Sequence, residues 1–341
     1  MKNIAIVGAT GLVGQALIEI LEERNFPIKK LYLLASHRSI GESLLFKNKP
    51  ILVQELAKFN FNSEKIDIAF FSAGGDVSAK YVNMAVAAGC VVIDNTSHFR
   101  YQKDIPLVIP EVNPEDLANY NKTNIIANPN CATIQALLAI KPIYDLVGVT
   151  KINFVTYQSV SGSGRQAIRE LVSQTTDALS GKPINPKFYP KQIAFNVIPH
   201  IDVFYDNGYS KEEMKMVWET HKILHDDTIK IIATTARVPT IYGHAVAIHL
   251  ETKRPIKDDL AREILSNAPG VSVFDEPKNN VYPTIIPKAT ESDQISIGRI
   301  RNFLNDEHGL AMWVVGNNVR KGAALNAVQI AEMLLSKLML K

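Results

Sequence analysis

Short apolar runs alternate with helical periods through the first third of the chain. Ile4–Val7 is a continuous apolar run of strand length, and Leu12, Val13, Ala16, Leu17, Ile20 and Leu21 then recur on one helical face. Runs at Leu31–Leu34, Ile66–Phe71, Val91–Ile93 and Asn124–Ala127 predict further strands, with a helix over Ser78–Ala88 between two of them. Strands separated by helical segments predict a largely parallel sheet with helices on both faces. From Cys131 the texture changes. A helix over Cys131–Leu146 leads into longer strand candidates, Lys151–Gln158 and Ile229–Val238. In Gly243–Leu250 one face carries His244, Val246, Ile248 and Leu250, and the other Gly243, Ala245, Ala247 and His249. Small residues opposite bulky ones suit a strand lying against helices or a second subunit. This half reads as an α+β domain. A stripe of Ala324, Leu325, Val328, Ile330, Ala331, Leu334, Leu335 and Leu338 closes the chain as a helix from about 322 to 338.

With 341 residues, 46% of them hydrophobic and 21% charged, the chain is long enough for two domains with sizeable cores. The formal charge of +3 is spread without any basic stripe interleaved with aromatics, which argues against a nucleic-acid partner. No apolar run approaches the ~18 residues of a membrane span, and the apolar start runs on into Glu19, Glu22 and Glu23 rather than a cleavage site. Two cysteines, Cys90 and Cys131, make no disulfide scaffold and fit a reducing, cytoplasmic setting.

Gly8-Ala9-Thr10-Gly11-Leu12-Val13-Gly14 lies between the first strand and the first helix. Glycines there permit a tight turn and close backbone approach, and the N–H groups opening a helix at Leu12 and Val13 can hold a pyrophosphate. The spacing is G-x-x-G-x-x-G, so it is the placement that points to a Rossmann-type dinucleotide-binding domain. After the second strand, where NAD sites usually carry Asp or Glu, the chain reads Ser36-His37-Arg38-Ser39. Hydroxyls and a guanidinium suit the 2′-phosphate of NADP.

Cys90 opens a buried strand and reads as a small apolar residue. Cys131 follows Asn128-Pro129-Asn130 at the start of an apolar helix. There the helix dipole would lower a thiol pKa from about 8.5, and free N–H groups could stabilise an oxyanion. From spacing alone, a nucleophile and a small buried residue at a domain junction fit equally well. A thiolate beside a nicotinamide would capture an acyl group or aldehyde and then pass it on to hydride transfer.

Seven segments occur in order along almost the whole chain: Gly8–Gly14, Leu34–Ser39, Pro110–Asn113, Asn128–Cys131, Gln158–Gly162, Arg237-Val238-Pro239 with Gly243-His244, and Arg320–Ala324. Together they resemble the aspartate-semialdehyde dehydrogenase family. The resemblance implies NADPH-dependent reductive dephosphorylation of L-aspartyl 4-phosphate to L-aspartate 4-semialdehyde, reversibly, through a thioester on Cys131. It implies His244 as acid/base, for which a near-neutral imidazole pKa is expected, although alone this residue reads as a core histidine. Gln158 would orient the substrate or the thiolate, and Arg237 would grip the α-carboxylate bidentately. Glu212 would take the amino group and Lys215 the phosphate, although by themselves they read as a solvated helix start, and Glu213 would replace Glu212 if the register is off by one. Arg100 would serve the phosphate, and Asn130 the phosphate or the carbonyl oxygen. Gly8, Thr10, Gly11, Leu12, Val13, Ser36, Arg38, Ser39, Ser161, Gly162 and Asn318 would serve the cofactor.

The resemblance further implies domains at 1–130 plus 318–341 and at 131–317, a homodimer or homotetramer, and a place in lysine (through diaminopimelate), threonine, methionine and isoleucine biosynthesis. N-acetyl-glutamyl-phosphate reductase and glyceraldehyde-3-phosphate dehydrogenase share the Cys/His logic. Their nucleophiles sit in Gly-Cys-Tyr and before Thr-Thr-Asn, unlike Asn130-Cys131-Ala132-Thr133-Ile134 here. A non-catalytic relative is a further alternative, against which stand the retained Cys131, Gln158, Arg237 and His244.

Overall fold

The computed structural model describes residues 1–286 and 292–339, the side chains of residues 337–339 aside. It divides into two compact units, Met1–Asn130 with Ala323–Lys341, and Cys131–Gly322.

In the first unit the parallel strands are continuous apolar runs because both faces of the sheet are covered. The elements run β1 (Lys2–Val7), α1 (Leu12–Glu23), β2 (Ile28–Ala35), β3 (Ser43–Phe46), β4 (Lys49–Glu55), α2 (Phe61–Glu64), β5 (Ile68–Phe71), α3 (Gly75–Ala87), β6 (Val91–Asp94) and β7 (Ile125–Ala127). The sheet order is β3-β4-β2-β1-β5-β6-β7, and β1 is parallel to both its neighbours. The chain therefore winds outward in both directions from β1, which puts the loop after β1 at a topological switch point. Ile4, Ile6, Leu33, Phe70 and Ile93 are fully buried in this core. The β3–β4 hairpin escaped the hydrophobic pattern. Its two-residue turn is Lys47-Asn48, both at positive φ, in place of the Asn-Gly that usually marks such a turn. The C-terminal helix (Leu325–Met339) buries Leu325, Val328, Ile330, Ala331 and Leu334, packing on α1 and β6. Arg24 clamps Glu332 of that helix through two hydrogen bonds of 2.7 and 2.8 Å. The side chain of Leu338, counted in the same stripe, lies outside the described residues.

The second unit comprises α4 (Cys131–Val147), β8 (Val149–Gln158), α5 (Arg165–Leu179), α6 (Lys211–Leu224), β9 (Lys230–Arg237), β10 (His244–Thr252), α7 (Asp258–Ser266), β11 (Val271–Val273), β12 (Ile295–Phe303) and β13 (Asp306–Gly316). Its mixed sheet has the order β11-β12-β13-β10-β8-β9. Helices α4, α6 and α7 pack against it, and the bulky face of β10, His244, Val246, Ile248 and Leu250, is fully buried. On the opposite face Ala247 and His249 are only half-buried, beside Val155, Tyr157 and Trp313.

The sequence pattern missed β12 and β13. The register slips between Gly298 and Arg301, and Arg299 sits at φ 56, a bulge that interrupts the two-residue alternation. Residues 318–322, assigned above to the first domain, lie in the second unit. The Asn318 amide oxygen accepts from the Gly243 N–H at 2.9 Å, and the Gly322 N–H donates to the Asn317 carbonyl. Among the described residues no helix is long and apolar enough to cross a membrane.

Candidate active site

In the first unit the glycine loop is held backbone against backbone. Gly8 adopts φ +88, and a Cβ there would lie 2.9 Å from the Ser72 carbonyl carbon. A Cβ on Gly14 would come within 2.2 Å of the Gly8 carbonyl oxygen. Neither position admits a side chain. Helix α1 opens at Leu12 behind Gly11, which brings no side-chain acceptor, and its first turn holds no acid. The first N–H groups and the positive end of the helix dipole are left for an anion, so the loop fits a dinucleotide pyrophosphate. The Thr10 and Ser39 hydroxyls meet at 3.2 Å, joining this loop to the turn after β2, where Ser36 and Arg38 are exposed.

Also in this unit, Arg100 is buried and donates from Nε to the Asn128 carbonyl and from Nη2 to the Asn95 carbonyl, each at 2.9 Å. The turn leading to it is built on Asp94. That carboxylate accepts from the Ser78 hydroxyl, the Thr96 hydroxyl and the Thr96 N–H, while its burial pushes the carboxyl pKa up. Asn130, the last residue of the stretch, is buried.

The two cysteines of the chain diverge sharply. Burial, helped by Asp67, pushes the Cys90 thiol up to about 12, which leaves it inert at neutral pH. Cys131 is partly exposed and is the first residue of α4, whose first turn carries no acid. The segment Asn317–Gly322 passes directly against it. A Cβ on Gly322 would stand 2.9 Å from that of Cys131, a close approach the sequence pattern did not reveal.

Strand register assembles the rest of this unit's site. Gln158 ends β8 and pairs with Arg237, the last residue of β9, on one side and with His244, the first residue of β10, on the other. Three adjacent strands therefore present Arg237, Gln158 and His244 as one row on the helix-covered face of the sheet. The His244 ring is fully buried, and its Nδ1 accepts the Ser159 backbone N–H at 3.1 Å. A neutral ring so held carries its proton on Nε2. That atom is buried and has no hydrogen-bond partner among the described residues. Burial, and secondarily the Arg237 charge, push the imidazole down to about 3, against a weaker opposing pull from the Gly243 carbonyl and Glu212. Where a near-neutral imidazole is expected from sequence, burial instead favours the neutral ring, a hydrogen-bond donor at Nε2.

Arg237 gives Nη1 to the Ser159 carbonyl at 2.7 Å and keeps a buried Nε with no partner among the described residues. The space between guanidinium and imidazole is kept by Gly162, where a Cβ would lie 3.0 Å from Arg237 Nη1 and 3.4 Å from His244 Nε2. Gln158 Nε2 donates to Glu212 Oε1 at 3.1 Å, and Lys215 donates to Glu212 Oε2 at 2.9 Å. Glu213 has a different task. It forms a capping box with Ser210 at the start of α6 and accepts the Thr235 N–H, so Glu212 is the member of the pair that reaches the row. The S-x-x-E signature of that cap was readable in the sequence. Ser159, which sets the histidine tautomer, left no such signal. Asn318 is buried and its amide bonds Gly243 and Ser161, tying the Ser159–Gly162 turn to the start of β10.

Family models for "Semialdehyde dehydrogenase, NAD binding domain" and "Semialdehyde dehydrogenase, dimerisation domain" match residues 3–120 and 140–321. An aspartate-semialdehyde dehydrogenase of Legionella pneumophila is 56% identical over 339 residues, 99% of this chain and 97% of its own length. The chain belongs to the aspartate-semialdehyde dehydrogenase family. The solved aspartate-semialdehyde dehydrogenase II of Vibrio cholerae, described as complexed with ASA, superposes with a TM-score of 0.96 at 51% identity and covers 98% of both chains. An aspartate-semialdehyde dehydrogenase of Candida albicans, solved with NADP, gives 0.76 at 26% identity, with 99% of both chains covered. Membership makes this protein an oxidoreductase with a Rossmann-type NAD-binding domain followed by a domain of the dimerisation type. The first family model takes in the glycine loop and Arg100, and the second takes in Gln158, Arg237 and His244. Cys131 falls between the two matched ranges.

Gly162 gives a prediction that separates substrate from cofactor contacts. In Gly162→Ala the added methyl presses on a guanidinium and an imidazole that are both anchored to the Ser159 backbone, so neither can give way freely. Overpacking of this kind costs on the order of 1–2 kcal/mol, and the KM of the semialdehyde is expected to rise about tenfold. Steady-state kinetics with each ligand varied in turn checks this. A rise confined to the KM of the cofactor would instead place Gly162 on the dinucleotide.

Proposed function

We propose that this protein interconverts L-aspartyl 4-phosphate and L-aspartate 4-semialdehyde plus phosphate, with NADP(H) as hydride carrier and Cys131 bearing the acyl group. The observation that carries this reading is the row of Arg237, Gln158 and His244, in which Arg237 Nε and His244 Nε2 are buried with no partner among the described residues and suit a small oxygen-rich ligand.

In the reductive direction the Cys131 thiolate, favoured by the positive end of α4, attacks the acyl carbon. A carbon–sulfur bond forms, the bond to the phosphate oxygen breaks, and phosphate leaves with the electron pair. His244 Nε2–H donates to the carbonyl oxygen as it gains negative charge. When bound, the reduced nicotinamide supplies the hydride that takes the thioester to the aldehyde level. The Cys131 thiolate departs as the aldehyde carbonyl reforms. Arg237 holds the α-carboxylate through the N–H groups not given to Ser159, Glu212 takes the ammonium, and Lys215 takes the phosphate. The Vibrio cholerae relative solved with ASA supports this substrate. This chemistry places the protein in the biosynthesis of lysine, threonine, methionine and isoleucine.

Gly8, Thr10, Gly11, Leu12 and Val13 would hold the pyrophosphate, and Ser36, Arg38 and Ser39 the 2′-phosphate. The Candida albicans relative solved with NADP supports the choice of cofactor. In Arg38→Ala the KM for NADP is expected to rise about tenfold, the worth of one charge-assisted contact, while the KM for NAD hardly moves. Equal effects on both would remove the basis for NADP. The half-buried Ala247 and His249 of β10 and the exposed Phe195, Val197, Phe204 and Ile232 of the second unit support a homodimer through this unit, which sedimentation velocity checks.

The direct test mixes the protein with aspartyl phosphate and no nicotinamide, followed by mass spectrometry of the digested chain. The peptide carrying Cys131 should gain one aspartyl group. Unmodified Cys131 with intact turnover would overturn the covalent route.

A further inference from the structure

Lys215 is shared by two carboxylates. Its Nζ donates to Glu212 Oε2 at 2.9 Å and to Asp202 Oδ2 at 3.0 Å, and its side chain is only 12% exposed. The two acids are held differently. Glu212 is 5% exposed and also receives Gln158 Nε2, so it is fixed from two sides. Asp202 is 31% exposed, sits in a turn at φ 68, and its other oxygen is bonded to the adjacent Val203 N–H. Lys211 is the further cation acting on it.

Two carboxylates turned onto one ammonium offset its charge and compete with an approaching oxyanion for its donors, even with Lys211 nearby. For Lys215 to serve phosphate, one acid must yield. Asp202 yields at least cost, because its carboxylate already borders water and its ion pair is of the partly exposed, weak kind.

We propose that Asp202 competes with phosphate for the Lys215 ammonium and so speeds release of phosphate in the reductive direction. This rests on the assignment of Lys215 to phosphate made above. Asp202 acts through Lys215 and is a positioning residue. It keeps the ammonium extended beside Glu212 and lowers the affinity of the site for the leaving group.

The test uses Asp202→Asn and Asp202→Gly in the full chain. Both residues tolerate positive φ, so both variants keep the turn. Initial rates of NADP reduction are measured against inorganic phosphate at saturating semialdehyde. The KM for phosphate is expected to fall about three- to tenfold in both variants, with the KM for semialdehyde and the Tm unchanged. Product inhibition by phosphate in the reductive direction should tighten by the same factor, and the difference should shrink as salt is raised. A phosphate KM that rises or stays constant in both variants overturns the inference, since a residue needed only to orient Lys215 would weaken phosphate when lost. A wild-type protein with no phosphate-dependent turnover would instead overturn the reaction proposed above, which makes the two failures distinguishable.

Discussion

Cys131→Ala is expected to lower phosphate-dependent turnover by at least about 10⁴-fold, in line with loss of a nucleophile from a covalent mechanism. No second thiol can substitute. Cys90 is fully buried in the first unit and its thiol is pushed up to about 12, so at neutral pH it is neither ionised nor accessible. The alanine side chain is close in volume to the cysteine it replaces and sits at a partly exposed helix start, so the fold and the glycine loop should be undisturbed. Binding of NADP, followed by fluorescence or calorimetry, should therefore survive while the adduct on residue 131 disappears. Activity near the wild-type rate in this variant would leave the thioester route without a carrier.

His244→Gln is expected to lower kcat by about 10²–10³-fold, the worth of one preorganised donor to a developing oxyanion. The imidazole is neutral as built, with its proton on Nε2, because the Ser159 N–H occupies Nδ1 and burial opposes ionisation. The pH–rate profile of the wild type should accordingly show no inflection from this residue between pH 5 and 8. Stability carries the complementary sign. The folded value of about 3 lies below the unfolded histidine value of roughly 6.5, so between those limits the unfolded chain binds more protons. Stability is unaffected by this group above pH 6.5 and is lost on acidification, by up to about 1.4 kcal/mol per pH unit. Urea unfolding at pH 7.5 and 5.0 should show the wild type losing about 2 kcal/mol more than His244→Gln. Equal losses in the two proteins would mean that His244 ionises in the folded state as it does in the unfolded chain.

Much of the first unit was legible because its signals are local. Ile4–Val7 followed by three glycines and an apolar helical stripe defines a strand, a turn and a helix within about 20 residues. The parallel sheet follows from runs that are apolar on both faces. The β3–β4 hairpin was hidden by a turn of ordinary residues at positive φ, and β12 by a bulge that breaks its alternation. At the site, Glu212 and Glu213 are adjacent in sequence and chemically alike. Only the cap on Ser210 and the Thr235 N–H, which claim Glu213, separate them.

The sequence alone determined the features that depend on neighbours within one turn or one strand. These are the glycine loop, a cysteine opening a helix and the alternation of β10. Tertiary structure decided which of the chemically capable residues meet and in which protonation state. The pairing of β8 with β9 and β10 brings Arg237 and His244 to either side of Gln158, and hydrogen bonds between distant backbones set that pairing. Burial then holds the imidazole neutral and leaves Lys215 between two acids. The physical reason is range: backbone conformation is chosen largely by adjacent residues, whereas desolvation and charge pairing sum over everything packed around a group, wherever it lies along the chain.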